Sequence, residues 1–245
     1  MTESRKTALI AGVLFLITFT AIPALLLYDP VVNNARYIVG AGSDTRVFFG
    51  AFIEIIVAIA NIGTAVVLYP ILKRQSGSVA LGYVASRTLE STVIVAGIIS
   101  LLAVVTLRQD LAGGSTDHNS LILAGKSLVA FHKATFLIGP AFCSSMTGML
   151  LGYLMYKSAL VPRPMAVVGM IGGILAFVAA TLPLFNVFDQ GSGGSVLLTF
   201  PEIVWELFLG IYLTFWGSDP LRSSRTSSRP EYRSVAPATW DREIT

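Results

Sequence analysis

The stretch GYVASRTLESTVIVAGIIS, Gly82 to Ser100, decides how the chain is read. After Glu90 it is almost wholly apolar and shows no alternation, so it is too long and too uniform for a half-buried strand. Yet Arg87 and Glu90 sit in its first half, three residues apart. A helix that dissolves in lipid while carrying both signs of charge must turn those charges away from the lipid. The chain therefore reads as a bundle of membrane helices with a polar interior.

The composition agrees. Of 245 residues, 54% are hydrophobic and 13% charged, against about 25% charged in a soluble domain. Mean hydropathy is +0.73. Six segments reach the roughly 20 apolar residues that a hydrocarbon core requires: Ala8 to Tyr28, Val47 to Leu72, Val79 to Leu107, Ala134 to Tyr156, Met165 to Phe185 and Val196 to Trp216. Backbone groups in lipid must be satisfied within the segment, which selects helices. The fold class is therefore all-α, a polytopic bundle of six transmembrane helices. The first segment exceeds a signal-peptide core, and Pro23 with bulky leucines stands where small residues would mark cleavage, so it is kept as a span.

Basic residues set the expected orientation. Arg5, Lys6, Lys73, Arg74, Lys157, Arg163 and the tail arginines 222, 225, 229, 233 and 242 fall on one side; Arg36, Arg46, Arg108, Lys126 and Lys133 fall on the other. The excess places both termini in the cytoplasm and the protein in the cytoplasmic (inner) membrane. Residues 1–217 form the membrane domain. Residues 218–245, rich in Ser, Arg and Pro without hydrophobic period, read as a disordered cytoplasmic tail. The pI near 9.1 reflects these edge residues. No basic patch interleaved with aromatics appears, so nucleic acid is not an expected partner; membrane lipids are.

Asp29 to Arg46 reads as a polar loop. After GGSTDHNS, residues from Leu121 turn apolar, either as an interfacial helix starting at Asn119 or Ser120 or as an extension of the fourth span. Gly148 with Gly152, and Gly169 with Gly173, have the spacing that lets helices approach closely. That serves packing within the chain or, alternatively, a homodimer face. Cys143, the single cysteine, reads as a buried thiol.

The ionisable residues inside the spans carry the functional signal. They are Glu54, Arg87, Glu90, Glu202 and Glu206, with His132 just above the fourth span and Asn61 as an uncharged polar group. Each charge costs about 2.5–3.5 kcal/mol to insert, so they are expected to face inward and find partners. Glu54, Ala58, Asn61 and Ala65 share one helical face; so do Tyr83, Arg87, Glu90 and Gly97, and so do Glu202 and Glu206. If spans two, three, four and six are neighbours, these groups line one outward-facing cavity with His132 at its mouth. Arg87 and Glu90 can also be a register-fixing ion pair. In TFPE, Thr199 and Glu202 have capping-box spacing with Pro201 in the first turn. Even so, one arginine neutralises one carboxylate well, and the remaining acids need protons, water or a cation.

Several pieces, EIIVAIANIGTAVVLYPILKR from Glu54, GYVASRTLE from Gly82, the His132 region, YKSALVPRPMAVVG from Tyr156 and FPEIVWELFLGIYL from Phe200, resemble a family of prokaryotic integral membrane proteins catalogued only as a domain of unknown function. The resemblance covers roughly residues 5 to 217. It implies a six-helix protein of the cytoplasmic membrane and no activity.

Three functions fit the residues. The first is binding or transport of a proton or a small polar or cationic solute by Glu54, Asn61, Arg87, Glu90, His132, Glu202 and Glu206. The second is a membrane-embedded hydrolase assisted by a metal on His132 with Glu54, Glu202 and Glu206. The third is a non-catalytic partner or sensor subunit. HExxH, Walker, dinucleotide and GxSxG motifs are absent. Two histidines do not suffice to clamp a haem within the spans. No substrate or cofactor is named by the sequence.

Overall fold

A computed structural model of the chain describes residues 3–40, 43–111 and 117–217. Among them every regular element is a helix. Six helices are long and apolar enough to cross a membrane: Glu3–Leu27, Asp44–Leu72, Gly77–Asp110, His118–Ser158, Arg163–Phe185 and Gly193–Phe215. The chain is an all-helical, multi-pass membrane protein. Ile59, Ile99 and Leu197 are each more than 60% exposed on its outer faces, as apolar side chains of a bundle set in lipid are. The tail expected over 218–245 lies outside the described residues.

Each span packs on its neighbours in sequence, and the sixth closes the ring against the Glu3–Thr18 half of the first. An even number of crossings returns the chain to one end of the bundle. There Arg5 donates to the carbonyls of Leu213 and Thr214, at 3.1 and 2.6 Å. A core of Leu68, Leu72, Tyr83, Leu154, Leu209 and Leu213 fills this end.

Spans three and four are longer than their apolar runs. At 1.5 Å per residue they project well past a hydrocarbon core of about 30 Å. The apolar stretch after Asn119 is settled as an extension of the fourth span, and its helix starts at His118. Asp117 caps it, accepting from the Asn119 and Ser120 amides and from the Ser120 hydroxyl. These bonds, that of the hydroxyl foremost, hold the Asp117 carboxyl below its usual range.

The Asp29–Arg46 segment is not the open polar loop its composition implies. It folds as a helix at Asp29–Val32 and a turn at Tyr37–Val39. Tyr28, Val31, Tyr37 and Ile38 are buried there against Leu101, Val104 and Leu121 of the extended helices. Tyr37 donates to Asp44 at 2.7 Å, and Arg108 pairs with the same carboxylate. Burial, and then the bond to Asp44, push the Tyr37 phenol up to about 12.

Two departures from straight helices shape the interior. The first span breaks at Phe19–Thr20 and resumes over Ala21–Leu27. Pro23 cannot donate to the Phe19 carbonyl, and the amides of Phe19 and Thr20 tighten onto Leu16 and Ile17. The fourth span widens into a π-helical segment at Leu137–Cys143 around Pro140.

The paired small residues act within the chain. A Cβ at Gly152 would strike the Met170 amide nitrogen, and one at Gly173 would strike the Met149 amide nitrogen and the Ser145 carbonyl. These glycines are what allow spans four and five to touch backbone to backbone. Cys143 is buried, and its carbonyl accepts from Ser86 of the third span at 2.9 Å.

Candidate functional site

Arg87 is the centre of the polar interior. It is 1% exposed, within the long third helix, Gly77–Leu111. Nη1 donates to Glu90 Oε2 at 3.1 Å and to Asn61 Oδ1 at 3.2 Å. Nη2 donates to Glu206 Oε1 at 2.5 Å. The guanidinium also lies 5.6 Å from the centroid of the Phe15 ring, within cation–π range. Asn61 uses its amide both ways, donating from Nδ2 to Glu90 Oε1 at 3.2 Å. One cation therefore ties the third span to the second and the sixth. The i, i+3 pairing of Arg87 with Glu90 is present, and Glu206 adds a second carboxylate from 119 residues away.

Glu54 stands apart from this hub on the second span. It is 6% exposed and accepts from the Tyr28 hydroxyl at 2.8 Å. The other side of Tyr28 meets His132, with ring centroids 5.7 Å apart at 75°. The sequence reading puts His132 at the cavity mouth. It is instead buried between the third span and Tyr28, its Nδ1 at 3.3 Å from the Gly97 carbonyl, and it does not line the cavity. Gly97 is needed for this approach, because a Cβ there would lie 3.2 Å from His132 Nδ1 and nearer still to the Thr135 hydroxyl.

Glu202 corrects the capping-box reading. The sixth helix starts at Gly193, with Ser192 as its cap. Thr199 sits inside it and donates back to Ser195. Glu202 is therefore mid-helix and 5% exposed, and neither carboxylate oxygen has a hydrogen-bond partner. It sits against Gly148 of the fourth span and Gly172 of the fifth, where added Cβ atoms would collide with its carboxyl group. Trp205, wholly buried against Gly169, likewise has its indole nitrogen without a partner.

These groups surround one cavity of about 370 Å³, in the size range of small-molecule sites. Glu54, Asn61, Arg87, Glu90, Glu202 and Glu206 all line it. Six of the seven residues singled out from the sequence thus come together, and His132 is the exception. The walls are mostly apolar: Ile94 from the third span, Leu137 and Pro140 from the π segment, and Ala176 and Ala180 from the fifth. The alanines leave room that larger side chains would fill. The lining reaches Gln190 and Gly191, in the connection between spans five and six, at the end of the bundle away from the chain termini. Towards the termini the leucine-rich core closes it.

Among the described residues no three His, Cys, Asp or Glu side chains assemble as a metal site. Glu54, Glu206 and His132 are each engaged by a different partner, Tyr28, Arg87 and the Gly97 carbonyl, and Glu202 sits apart from them between Gly148 and Gly172, so the candidate ligands do not converge as the metal-assisted reading requires. What remains is an electrostatic surplus of four carboxyl groups and one guanidinium around a single space. Sequence reasoning misses Tyr28 and the Gly148–Gly172 niche. The tyrosine lies at the end of the first span beside Asp29 and Pro30, where it reads as an interfacial residue.

No curated protein and no solved structure matches the chain. Residues 10–217 match the family described as Domain of unknown function (DUF4386), and these are the residues that build the bundle and every wall of its cavity. With most of its length so matched, the chain belongs to the DUF4386 family.

Proposed function

We propose that the cavity binds a proton or a small polar or cationic solute and serves its transport across the membrane. The observation that carries this reading is Glu202, a buried carboxyl group on a cavity wall with both oxygens unpartnered, beside Glu90 and Glu206, which share one arginine, and Glu54, which accepts only from a tyrosine hydroxyl. A purely structural ion pair requires one acid per base. Surplus carboxylates in a dry interior are expensive unless a proton or a cation neutralises them.

In this proposal the protein lies in the cytoplasmic membrane with both termini inside, as the excess of arginine and lysine at that end supports. The cavity then faces outward. Proteoliposomes loaded with a pH-sensitive dye and given external tetramethylammonium test the reading. Cation-dependent proton flux is expected from the wild type and is expected to vanish in Glu90→Gln and Glu206→Gln proteins that still elute as folded. Flux retained in both variants would sink it.

A further inference from the structure

The cavity is not walled equally on all sides. The sixth span packs on Glu3–Thr18 of the first. Past the break at Phe19–Thr20, the Ala21–Leu27 half packs on the second span. The beginning of the sixth span and the second half of the first therefore face each other across the cavity. Ile22 and Leu25 line it from one side, Val196, Thr199 and Ile203 from the other. Ile22 is 56% exposed and Val196 51% exposed. Residues that line a cavity and keep half their surface accessible mark its rim; Ile22, Leu25, Val196 and Ile203 give this rim an apolar character, with Thr18, Ser195 and Thr199 as the polar side chains among them.

We infer that the cavity takes an amphiphilic organic cation, an amine or quaternary ammonium bearing an apolar group, which enters sideways from the lipid between the first and sixth spans. The inference rests on the cation-binding reading above and adds the substrate class and the way in. An apolar group leaves lipid for apolar walls with little change in its surroundings. The cationic head loses its water, and the surplus carboxyl groups of Glu54, Glu90, Glu202 and Glu206 offset that loss. A small hydrated ion gains nothing from an apolar rim. An anionic amphiphile would meet the same surplus as repulsion. The unpartnered carboxyl group of Glu202 lies on the same span as the rim residue Val196, less than two turns further along the helix.

The test uses the full chain in lipid nanodiscs, with empty nanodiscs as background. The probes are radiolabelled tetraphenylphosphonium, tetramethylammonium and tetraphenylborate. Saturable, one-to-one binding of tetraphenylphosphonium is expected, with no binding of tetraphenylborate. Glu206→Gln, at the partly exposed acid, is expected to weaken it about tenfold, as removal of one close opposite charge does. Ile22→Trp combined with Val196→Trp narrows the rim, and is expected to slow tetraphenylphosphonium association and release about tenfold relative to tetramethylammonium. Leu81→Trp, on an exposed position of the third span away from the cavity, controls for an added tryptophan and is expected to leave both probes unaffected. Binding of tetramethylammonium without tetraphenylphosphonium would overturn the sideways route and leave the cation-binding reading standing. Binding of neither cation would overturn both.

Discussion

Replacing Arg87 by methionine separates the energetics of the polar interior from those of ordinary packing. Methionine keeps much of the aliphatic stem but removes the charge, and with it the cation–π contact to Phe15. Three partners lose a donor: Asn61, Glu90 and Glu206. Polar contacts between membrane helices average about 0.6 kcal/mol each, which sets a floor near 2 kcal/mol. The larger consequence is that the carboxylates of Glu90 and Glu206 stay behind without their cation, in a site where the Arg87 side chain was 2% exposed. Leaving a buried charge uncompensated raises the expected loss to about 3–5 kcal/mol. Removing the acids as well, in Arg87→Met with Glu90→Gln and Glu206→Gln, is expected to recover all but about 1 kcal/mol of that loss, since a buried ionic group replaced as a whole is often neutral. Reversible unfolding in mixed micelles by added dodecyl sulfate, followed by tryptophan fluorescence, measures both. A single variant within about 1 kcal/mol of wild type, or a triple variant no more stable than the single, would refute a strongly coupled buried hub.

Tyr28→Phe removes the donor to Glu54, and a hydrogen bond to a charged acceptor predicts a loss of about 1.5–3 kcal/mol; an unfolding curve superimposable on wild type would show that the bond contributes nothing. Gly173→Ala drives a methyl group into the Met149 amide and the Ser145 carbonyl and is expected to cost about 1–3 kcal/mol by forcing spans four and five apart, whereas Gly77→Ala meets nothing and stays within about 0.5 kcal/mol of wild type. Asp117 has a folded pKa below its unfolded value, so its capping contribution is present above the usual carboxylate range and lost as pH falls below that range through the lowered value. Hydrogen exchange at the Ser120 and Leu121 amides, corrected for intrinsic rates, is expected to show that loss in the wild type and a pH-independent, already frayed start in Asp117→Ala.

Local physics explains why part of the site is legible in the sequence. The turn from Arg87 to Glu90 places both groups on one helical face whatever the surroundings, and the same spacing aligns Glu54 with Asn61 and Glu202 with Glu206. A charge in lipid must turn inward, so membership of a polar interior follows from composition alone. Glu202 shows where spacing stops deciding. TFPE has the spacing of a cap, but a cap exists only where a helix begins, and Ser192 starts this one earlier. His132 marks a different limit. Its exposure depends on whether the chain above it is a separate interfacial helix or a continuation of the fourth span, and residues 118–131 fit both patterns.

The six helices, their approximate extents and the inward turn of their charges belong to the sequence by itself. Lipid offers no hydrogen bonds, so every apolar run must satisfy its own backbone locally, and local rules suffice. The tertiary structure alone decided that Glu206 meets Arg87, that Tyr28 holds Glu54, that Glu202 fills a niche between two glycines and partners nothing, and that the first span, broken near Pro23, packs its two halves on different neighbours. Those are contacts between segments far apart in the chain. They are set by which helix faces fit together, and no spacing within one helix records the shape of another.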